Sequence, residues 1–546
     1  MKGIHKSAWL LAIGSGLLQI LIFPRPNLYW LCWIALAPLF YALLRAREAD
    51  ATELLNEESD SFLVPARAWQ GFLLGWASGT VFYFGTCYWV YSVMHLYGGL
   101  SPFISFLLLV LFSMYIGLHH AIFGMLMAVA GRSRVGFSRK ALVLAPFLWV
   151  AVELLRAYVV SFPWTLLGTA QVDNLPLARL ASVTGVYGVS FEIALVNTVF
   201  AAAMLVNRKR RIATLGAALA GAIALQSTVL VKVEASPVDA HATLVQQNVP
   251  IERQWTFEGY DQLLKELGSI SRAPEAGRNS SVAPLIVWPE SPAPFETDDR
   301  LFSESTAALA RRQQSWLLAG ATAVVPVAPG SAPKTSITPR ESEQVYNSAL
   351  LLNPAGTVVQ RYDKVHLVPW GEYVPFSWAF GFAKALTHEV GAFSASASGR
   401  TPLEVGSHRY GTFICYESVF PHEVRQFAEH GAEVFVNISN DGWFGDSGAP
   451  WQHLNMARMR AVENHRWLLR STNTGITSAI DPLGRVVAVA PRNRRVVLDA
   501  PYGVISETTF YTRYGDWFPV LCAIISITGL LWRDRTGAHM THPVPV

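Results

Sequence analysis

The sequence predicts a helical membrane domain with several spans, joined to an α/β domain that lies outside the membrane. Long apolar runs fill the first half of the chain and return near its end, and only 15% of the residues are charged, which is low for a soluble protein of this size. The segment of about 234–514 alternates short β-patterned runs with helical ones, and this alternation is typical of an α/β domain. The 546 residues are enough for both parts.

Eight apolar runs have the length that crosses a bilayer. They lie at about 8–23, 28–45, 68–92, 102–130, 141–160, 178–206, 212–232 and 515–532. The first run has the basic start of a signal peptide, but no small-residue cleavage site follows it, so we expect a retained span. The predicted domains are therefore 1–233, a membrane domain of about seven helices, 234–514, the α/β domain, and 515–546, the last helix with a tail.

Basic residues predict the orientation of these spans, because loops on the cytoplasmic side carry an excess of Lys and Arg. They accumulate at the N-terminus and in alternate loops, at Lys2, Lys6, Arg45, Arg47, Arg67, Arg132, Arg134, Arg139, Lys140, Arg208, Lys209, Arg210, Arg211, Arg533 and Arg535. With eight spans, both termini are predicted to be cytoplasmic and the segment 234–514 is predicted to lie on the opposite side.

Composition argues against several other classes of protein. The net charge is only +4 and no basic stripe alternates with aromatic residues, so we expect no nucleic-acid partner. Cys32, Cys87 and Cys522 lie in apolar runs, and Cys415 is the only cysteine in the polar segment, which argues against a disulfide framework. No Cys/His spacing resembles a metal site, and we expect no metal and no cofactor.

Ionisable residues inside the predicted spans allow two interpretations. His119, His120, Glu153, Arg156 and Glu192 lie within apolar runs, where ionisable groups are costly and often functional. They line a substrate cavity, or they pair between helices and near an interface; the second interpretation is the more common one.

The segment 234–514 contains strand candidates with β-rich apolar runs and helix candidates with helical periodicity. The strand candidates are 242–249, 284–290, 316–324, 346–352, 412–416, 433–439, 467–472 and 485–490. The helix candidates are 259–271, 303–312, 422–430 and 452–463.

Three residues of this segment have side chains suited to acyl-transfer chemistry. Glu290 and Cys415 each end an apolar strand candidate, and Lys364 follows Tyr362-Asp363. A cysteine is a nucleophile as the thiolate, which requires a base or a positive charge nearby. Glu290 can act as a general base, and Lys364 can stabilise a thiolate or an oxyanion. Taken singly, such residues are more often structural or solvated, and spacing alone leaves open whether the three converge.

The motifs around these residues are Trp-Pro-Glu at Glu290, Tyr-Asp-Lys at Lys364 and Cys-Tyr-Glu at Cys415. In this order they resemble the nitrilase superfamily, and nearly the whole chain resembles its membrane-bound family, the apolipoprotein N-acyltransferases. Supporting stretches are Phe162-Pro163-Trp164, Lys364–Pro375, Ile438–Gly445, Trp451–Arg460 and Arg470–Gly475. The resemblance implies that the α/β domain is a nitrilase-like αββα sandwich.

The resemblance also implies roles for single residues. Cys415 is expected to be the nucleophile, Glu290 the general base and Lys364 the group that stabilises the oxyanion. Residues expected to support them are Glu372, Tyr416, Glu417 and Asn347, with Trp255 as a lid over the substrate. His366 and His453 are expected to make structural hydrogen bonds rather than to act as bases.

The implied reaction is the transfer of a fatty acyl chain from a membrane phospholipid, through a cysteine thioester, to the N-terminal α-amine of the diacylglyceryl-cysteine of an apolipoprotein. The order is ping-pong, the partners are the phospholipid, the apolipoprotein and the lipid bilayer, and the enzyme is expected to be a monomer. The resemblance places it in a bacterial inner membrane with the catalytic domain in the periplasm. The alternatives are a membrane-tethered nitrilase-type amidase, which predicts a free acid as product, and a transporter or assembly factor with an inactive nitrilase-like domain.

Overall fold

A computed structural model describes residues 3–49, 63–133, 136–274, 282–326, 343–373 and 393–532. The predicted C-terminal tail lies outside these residues, as do Lys2, Arg134, Arg533 and Arg535. Among the described residues, the N-terminal part is helical and the segment from residue 240 to residue 502 contains two large sheets.

The helices of the membrane domain include short and interrupted pieces between the long ones. Their bounds are Lys6–Leu21, Tyr29–Leu31, Cys32–Ala35, Ala37–Leu44, Ala68–Thr86, Trp89–Ser92, Val93–Tyr97, Pro102–Gly131, Lys140–Leu155, Arg156–Val160, Leu167–Gln171, Leu175–Ala178, Ala181–Thr184, Val186–Leu205, Arg208–Ser227 and Thr228–Leu230, followed near the end of the described chain by Phe510–Tyr514 and Trp517–Leu531. Two short hairpins pair Arg47–Glu48 with Leu63–Val64 and Arg132–Ser133 with Gly136–Phe137.

Four of these helical stretches are long and apolar enough to cross a membrane: Pro102–Gly131, Lys140–Val160, Val186–Leu205 and Lys209–Leu230. Three shorter apolar stretches are Lys6–Leu21, Tyr29–Leu44 and Trp517–Leu531. Three of the predicted runs are broken: the run 28–45 is interrupted at Leu36, the run 68–92 is interrupted at Cys87, and the regular helix of the run 178–206 begins only at Val186. The membrane character is thus clear, and the count of eight spans stays a prediction.

Small residues let two of these helices approach closely. A Cβ atom added to Gly75 would lie 2.0 Å from the carbonyl oxygen of His120, and one added to Gly124 would lie 2.2 Å from the carbonyl oxygen of Gly71. Contacts of this kind are typical of helices that pack inside membranes. They hold Ala68–Thr86 against Pro102–Gly131.

The ionisable residues of the predicted spans mostly make contacts inside the helical bundle. Glu153 Oε1 accepts the backbone N–H of Leu167 at 2.8 Å, and Arg156 donates to the carbonyl of Trp164 at 3.0 Å. His120 Nε2 lies 3.0 Å from Gln19 Oε1. Glu153 and Arg156 therefore hold the irregular segment 161–167, which connects two membrane helices.

The α/β domain contains two six-stranded mixed sheets. The first sheet has the strand order Val496–Tyr502, Ala240–Gln246, Leu285–Val287, Trp316–Pro326, Glu343–Leu352 and Val358–Asp363. The second sheet has the order Leu403–Val405, His408–Ile414, Val434–Ser439, Leu468–Thr472, Ser478–Ile480 and Val486–Val489. The two sheets pack face to face through an apolar core.

Helices cover the outer face of each sheet. Phe257–Ile270 and Arg300–Gln313 pack on the first sheet, and Pro421–Glu429 and Ala449–Asn464 pack on the second. The prediction of an αββα sandwich joined to a helical membrane domain is therefore confirmed.

The helix Ala449–Asn464, called the docking helix below, lies between the second sheet and the membrane domain. Fourteen of its 16 residues are buried, whereas a helix that covers a sheet from the solvent side buries only one face. Leu454 belongs to the core of the sheets, while Met456 and Met459 belong to the core of the membrane domain. The two domains thus share one continuous packed interior.

Candidate active site

Glu290, Lys364 and Cys415 each follow a strand, and the strands point the same way. Glu290 follows Leu285–Val287 and Lys364 follows Val358–Asp363 of the first sheet, while Cys415 follows His408–Ile414 of the second. Because parallel strands present their carboxyl ends at one edge of a sheet, Glu290 and Lys364 lie at the same edge of the first sheet. Glu417, two residues after Cys415, accepts the N–H of Val365, the neighbour of Lys364, at 2.9 Å. Gly320 on a neighbouring strand makes room for Glu290, since a Cβ at Gly320 would lie 2.3 Å from the carbonyl oxygen of Pro289.

Glu290, Lys364, Glu372 and Asn347 form a compact group, called the front cluster below. Lys364 Nζ lies 2.9 Å from Glu372 Oε1 and 3.7 Å from Glu290 Oε1. Asn347 Nδ2 donates to Glu290 Oε1 at 2.7 Å and to Glu372 Oε1 at 2.9 Å. Two carboxylates thus share one ammonium and one amide, which leaves a surplus of negative charge beside Cys415.

Backbone N–H groups hold the outer oxygens of both carboxylates. Asn440 donates its N–H to Glu290 Oε2 at 2.7 Å, and Val368 donates to Glu372 Oε2 at 2.8 Å. Asn440 follows strand Val434–Ser439 of the second sheet. Asn440 lies in the stretch Ile438–Gly445 and directly follows a predicted strand, but its sequence context carries no signal of this role.

The backbone of Cys415 has φ +51°, a left-handed conformation that costs a residue other than glycine about 1–2 kcal/mol. Glu417 supports the turn, because its carboxylate accepts the N–H of Ile414 at 2.8 Å. The same carboxylate accepts the N–H of Val365 at 2.9 Å and the hydroxyl of Tyr362 at 2.8 Å. Glu417 therefore ties the turn at Cys415 to the residues on both sides of Lys364.

Burial and charge set the protonation of the two reactive side chains. Burial raises the pKa of the Cys415 thiol above its ordinary value, Glu290 raises it further, and Lys364 opposes both effects. Burial tends to lower the pKa of Lys364, but Glu372 and Glu290 outweigh it and hold that pKa above its ordinary value. Cys415 is therefore a thiol at rest, and Lys364 stays a cation that supplies charge and takes no proton.

The remaining predicted residues lie at different distances from this centre. Tyr416 is buried beside Cys415, and its hydroxyl donates to the carbonyl of Ser161 in the membrane domain at 2.9 Å. Trp255 precedes helix Phe257–Ile270; its ring lies under the guanidinium of Arg253 at 4.7 Å and packs on Tyr260. Tyr416 thus joins the turn at Cys415 to the membrane domain, while the contacts of Trp255 lie with the outer helix layer.

The side chain of His366 contacts Glu423 and Phe420. Its Nδ1 lies 2.8 Å from Glu423 Oε1 and its ring stacks on Phe420 with the centroids 3.8 Å apart. Among the described residues, no group of three or more His, Cys, Asp or Glu side chains is arranged to hold a metal ion.

Comparison with known proteins matches both parts of the chain. The model of the carbon-nitrogen hydrolase family matches residues 241–501, and the model of the apolipoprotein N-acyltransferase N-terminal domain matches residues 15–199. The crystal structure of a carbon-nitrogen hydrolase from Helicobacter pylori G27 covers 48% of this chain and 88% of that chain, with 17% identity and a TM-score of 0.32.

Curated relatives match over nearly the full length. The apolipoprotein N-acyltransferase of Geobacter metallireducens is 34% identical and covers 98% of this chain and 97% of its own. That of Chlorobaculum tepidum is 30% identical and covers 97% and 98%, and that of Methylococcus capsulatus is 34% identical and covers 83% and 86%. With both domains matched in one chain at this identity, the protein belongs to the apolipoprotein N-acyltransferase family.

Proposed function

We propose that this chain transfers a fatty acyl group from a membrane phospholipid, through a thioester on Cys415, to the N-terminal α-amine of the diacylglyceryl-cysteine of an apolipoprotein. The observation that carries the proposal is a buried cysteine that feels the charges of the Glu290 carboxylate and the Lys364 ammonium, on a turn that contacts the membrane domain. The names of the relatives support the same activity.

In the first half-reaction, Glu290 accepts the proton of the Cys415 thiol as sulfur attacks the ester carbonyl of the phospholipid. The carbonyl oxygen gains negative charge, which Lys364 stabilises. The ester C–O bond then breaks, the leaving oxygen takes the proton from Glu290, and lysophospholipid departs. Because Cys415 is a thiol at rest, a base is required at the moment of attack, and Glu290 fills that role.

In the second half-reaction, the amine of the apolipoprotein attacks the thioester. A C–N bond forms, the C–S bond breaks, and Glu290 passes a proton from the amine to the sulfur. Both lipid substrates use one site in turn, so the order is ping-pong. Glu372 and Asn347 orient Lys364 and Glu290, Tyr416 and Glu417 support the turn of the nucleophile, and Trp255 covers the substrate.

The site also requires a particular placement in the cell. The phospholipid and the apolipoprotein are both anchored in a membrane, so a site beside the membrane domain reaches both of them. Segment 234–514 is periplasmic, 1–233 and 515–532 lie in the bacterial inner membrane, and both termini are cytoplasmic, as the basic loops favour. The enzyme works as a monomer.

The test is intact-mass spectrometry of the purified chain after incubation with phospholipid vesicles and no acceptor. We expect one added fatty-acyl mass that hydroxylamine removes, and its loss when an apolipoprotein peptide with a diacylglyceryl-cysteine N-terminus is added. In Cys415→Ala the adduct should be absent.

Cys522→Ala is the matched control, because Cys522 is also a free, buried cysteine but lies in the last apolar helix. It should acquire the adduct as the parent chain does. An adduct that persists in Cys415→Ala would contradict the proposal, and so would release of free fatty acid in place of transfer to the peptide.

A further inference from the structure

A second polar cluster lies behind Cys415. His453 Nε2 lies 2.8 Å from Ser418 Oγ, and His453 Nδ1 lies 3.0 Å from Asp441 Oδ1. These are the contacts of a Ser-His-Asp triad. However, Ser418, His453 and Asp441 are each 0% exposed, so no acyl group can reach Ser418. The cluster is therefore not a second nucleophilic site, and its contacts with Cys415 must explain it.

Asp441, His453 and Arg470, called the rear cluster below, lie together behind Cys415. Arg470 Nη2 donates to Asp441 Oδ2 at 2.8 Å and faces His453 Nδ1 at 3.1 Å. Nδ1 of His453 faces both the carboxylate of Asp441 and the guanidinium of Arg470, so each neutral tautomer has a partner at Nδ1. Only the tautomer protonated on Nε2 can donate from that atom, and Arg470 then donates to Nδ1. Nε2 lies 3.1 Å from the carbonyl oxygen of Cys415, which can only accept.

This hydrogen bond acts on the strained residue of the site. Cys415 has φ +51°, and a left-handed cysteine persists only when its surroundings hold it. Glu417 holds the N–H of Ile414 on one side of the turn, and His453 holds the carbonyl of Cys415 on the other. The direction of the sulfur toward the front cluster depends on both.

The membrane domain contacts the same histidine. The ring of Trp164 stacks on the ring of His453 with the centroids 5.7 Å apart and the planes at 28°. Trp164 Nε1 donates to Gln452 Oε1 at 2.7 Å, and Gln452 Nε2 donates to the carbonyl of Pro24 at 2.8 Å. Trp164 lies on the segment 161–167, which Glu153 and Arg156 hold. The position of His453 is therefore fixed from the membrane side.

We propose that His453 is a positioning residue that holds the backbone of Cys415 and, through its contact with Trp164, couples the nucleophile to the membrane domain. The inference rests on the proposed function, since it concerns the same nucleophile. It assigns His453 no proton transfer with substrate.

The experiment compares two substitutions that each remove half of the interaction. His453→Gln keeps an N–H donor at the position of Nε2 and loses the ring, whereas His453→Phe keeps a ring against Trp164 and loses the donor. The readout is the single-turnover rate of thioester formation against phospholipid concentration. We expect His453→Phe to lower the maximal rate about 10²-fold with the half-saturating concentration unchanged, and His453→Gln to stay within about tenfold of the parent.

Trp164→Leu, alone and combined with His453→Phe, tests the coupling. If Trp164 acts through His453, its substitution should slow the parent and have little further effect in His453→Phe. Additive effects would overturn the coupling. Equal losses of the acylation rate in His453→Phe and His453→Gln, in step with their melting temperatures, would overturn the positioning role. A change confined to the half-saturating phospholipid concentration would also overturn it.

Alkylation of Cys415 by iodoacetamide, read by intact mass, gives the same comparison without an acyl donor. Loss of the donor in His453→Phe should move the Cys415 sulfur away from the front cluster. Alkylation should therefore be slower in His453→Phe than in His453→Gln. A parent chain that is alkylated but never acylated would count against the proposed function alone. His408→Gln is the matched control, since His408 lies near a carboxylate of Glu433 at 3.3 Å and begins the strand that leads to Cys415; it should match the parent.

Discussion

The two sheets of the α/β domain each place a carboxylate beside a cation, but they do so with opposite balance. In the front cluster of the first sheet, the Glu290 and Glu372 side chains remain 10% and 12% exposed and share the single cation Lys364. In the rear cluster of the second sheet, one carboxylate, Asp441, meets one cation, Arg470, and both are 0% exposed. The carboxylates of the front cluster are partly open to solvent, as the proposed role of Glu290 as a base requires. Asp441 and Arg470 of the rear cluster form a charge-balanced ion pair closed to solvent, so this pair can only have a structural role.

The difference also appears in the pKa values. Burial favours the neutral form of Asp441, but Arg470, His453 and Ser439 together outweigh it and hold the pKa of Asp441 below its ordinary value. Asp441 is thus a permanent charge at neutral pH. Loss of a charge should therefore lower the rate when it occurs in the front cluster and lower stability when it occurs in the rear cluster.

The largest effect is expected for Glu290→Gln. The amide keeps the size of the side chain but cannot accept the thiol proton, so thioester formation should slow about 10³-fold. The melting temperature should stay close to that of the parent, because the substitution relieves a surplus of negative charge. Single-turnover acylation and thermal unfolding in the same detergent measure the two quantities.

Glu304→Gln is the control for Glu290→Gln, since Glu304 is solvent-exposed and pairs with Arg300 on the outer helix Arg300–Gln313. It should change neither quantity. If Glu290→Gln acylated at the parent's rate, the base would have to be another group. The proposed functional difference between the front and rear clusters would then be lost.

Asp441→Asn should show the opposite pattern. It leaves the buried charge of Arg470 without its counter-charge, which should destabilise the chain by about 3 kcal/mol. Acylation should fall less than in Glu290→Gln, because Cys415 and the front cluster keep all of their own side chains. The melting temperature and the acylation rate of the folded fraction are the measurements.

Asp499→Asn provides the matched loss of charge at an exposed position, where Asp499 pairs with His241 at 3.0 Å. It should leave the melting temperature nearly unchanged, since exposed pairs contribute little. If Asp441→Asn proved as stable as Asp499→Asn, the rear cluster would not be the supporting structure described above.

The two clusters also differ in how far the sequence predicts them. Glu290 and Cys415 end strands that have clear apolar patterns, and short motifs mark both of them and Lys364. Asp441 and His453 have no such local signal: Asp441-Gly442 resembles an ordinary turn, and a lone histidine is usually structural. Their contacts with each other and with Arg470 arise only when two strand ends and the docking helix meet, which single-sequence patterns do not encode.

The same limit applies to the sheets. Most interior strands were predicted, because several of them are apolar throughout. Four strands were missed: Val358–Asp363, Leu403–Val405, Val496–Tyr502 and the short interior strand Ser478–Ile480. Three of these lie at sheet edges, where half-exposed strands carry polar residues. Val496–Tyr502 also contains Pro501, which an edge strand tolerates and an interior one does not. The contacts between the domains were not predictable, because they join residues hundreds of positions apart.

The smallest effect is expected at the far end of the docking helix, where Glu463 joins the domains. Its Oε1 accepts the N–H of Val186, the first residue of the membrane helix Val186–Leu205, at 3.0 Å, and its other oxygen lies 2.8 Å from Arg460 Nε. Burial raises the pKa of Glu463 to about 7, although Arg460 opposes the shift. Glu463 therefore differs from Asp441 in being titratable near neutral pH.

Because the folded pKa of Glu463 lies above the unfolded value, the folded chain holds this proton over a range in which the unfolded chain has lost it. Stability from Glu463 is thus complete at low pH and falls as the pH rises from about 4.5 to about 7. Glu463→Gln removes this dependence, so the stability of the variant relative to the parent should increase by about 2 kcal/mol between roughly pH 5 and pH 8. Melting temperatures of both chains across that range measure the difference, which cancels any constant cost of leaving Arg460 without its partner. Glu404→Gln is the control, because Glu404 lies at an exposed position on strand Leu403–Val405, and it should follow the parent at each pH. If the difference between Glu463→Gln and the parent stayed constant with pH, Glu463 would be ionised throughout, as Asp441 is. Both ends of the docking helix would then carry permanent charge.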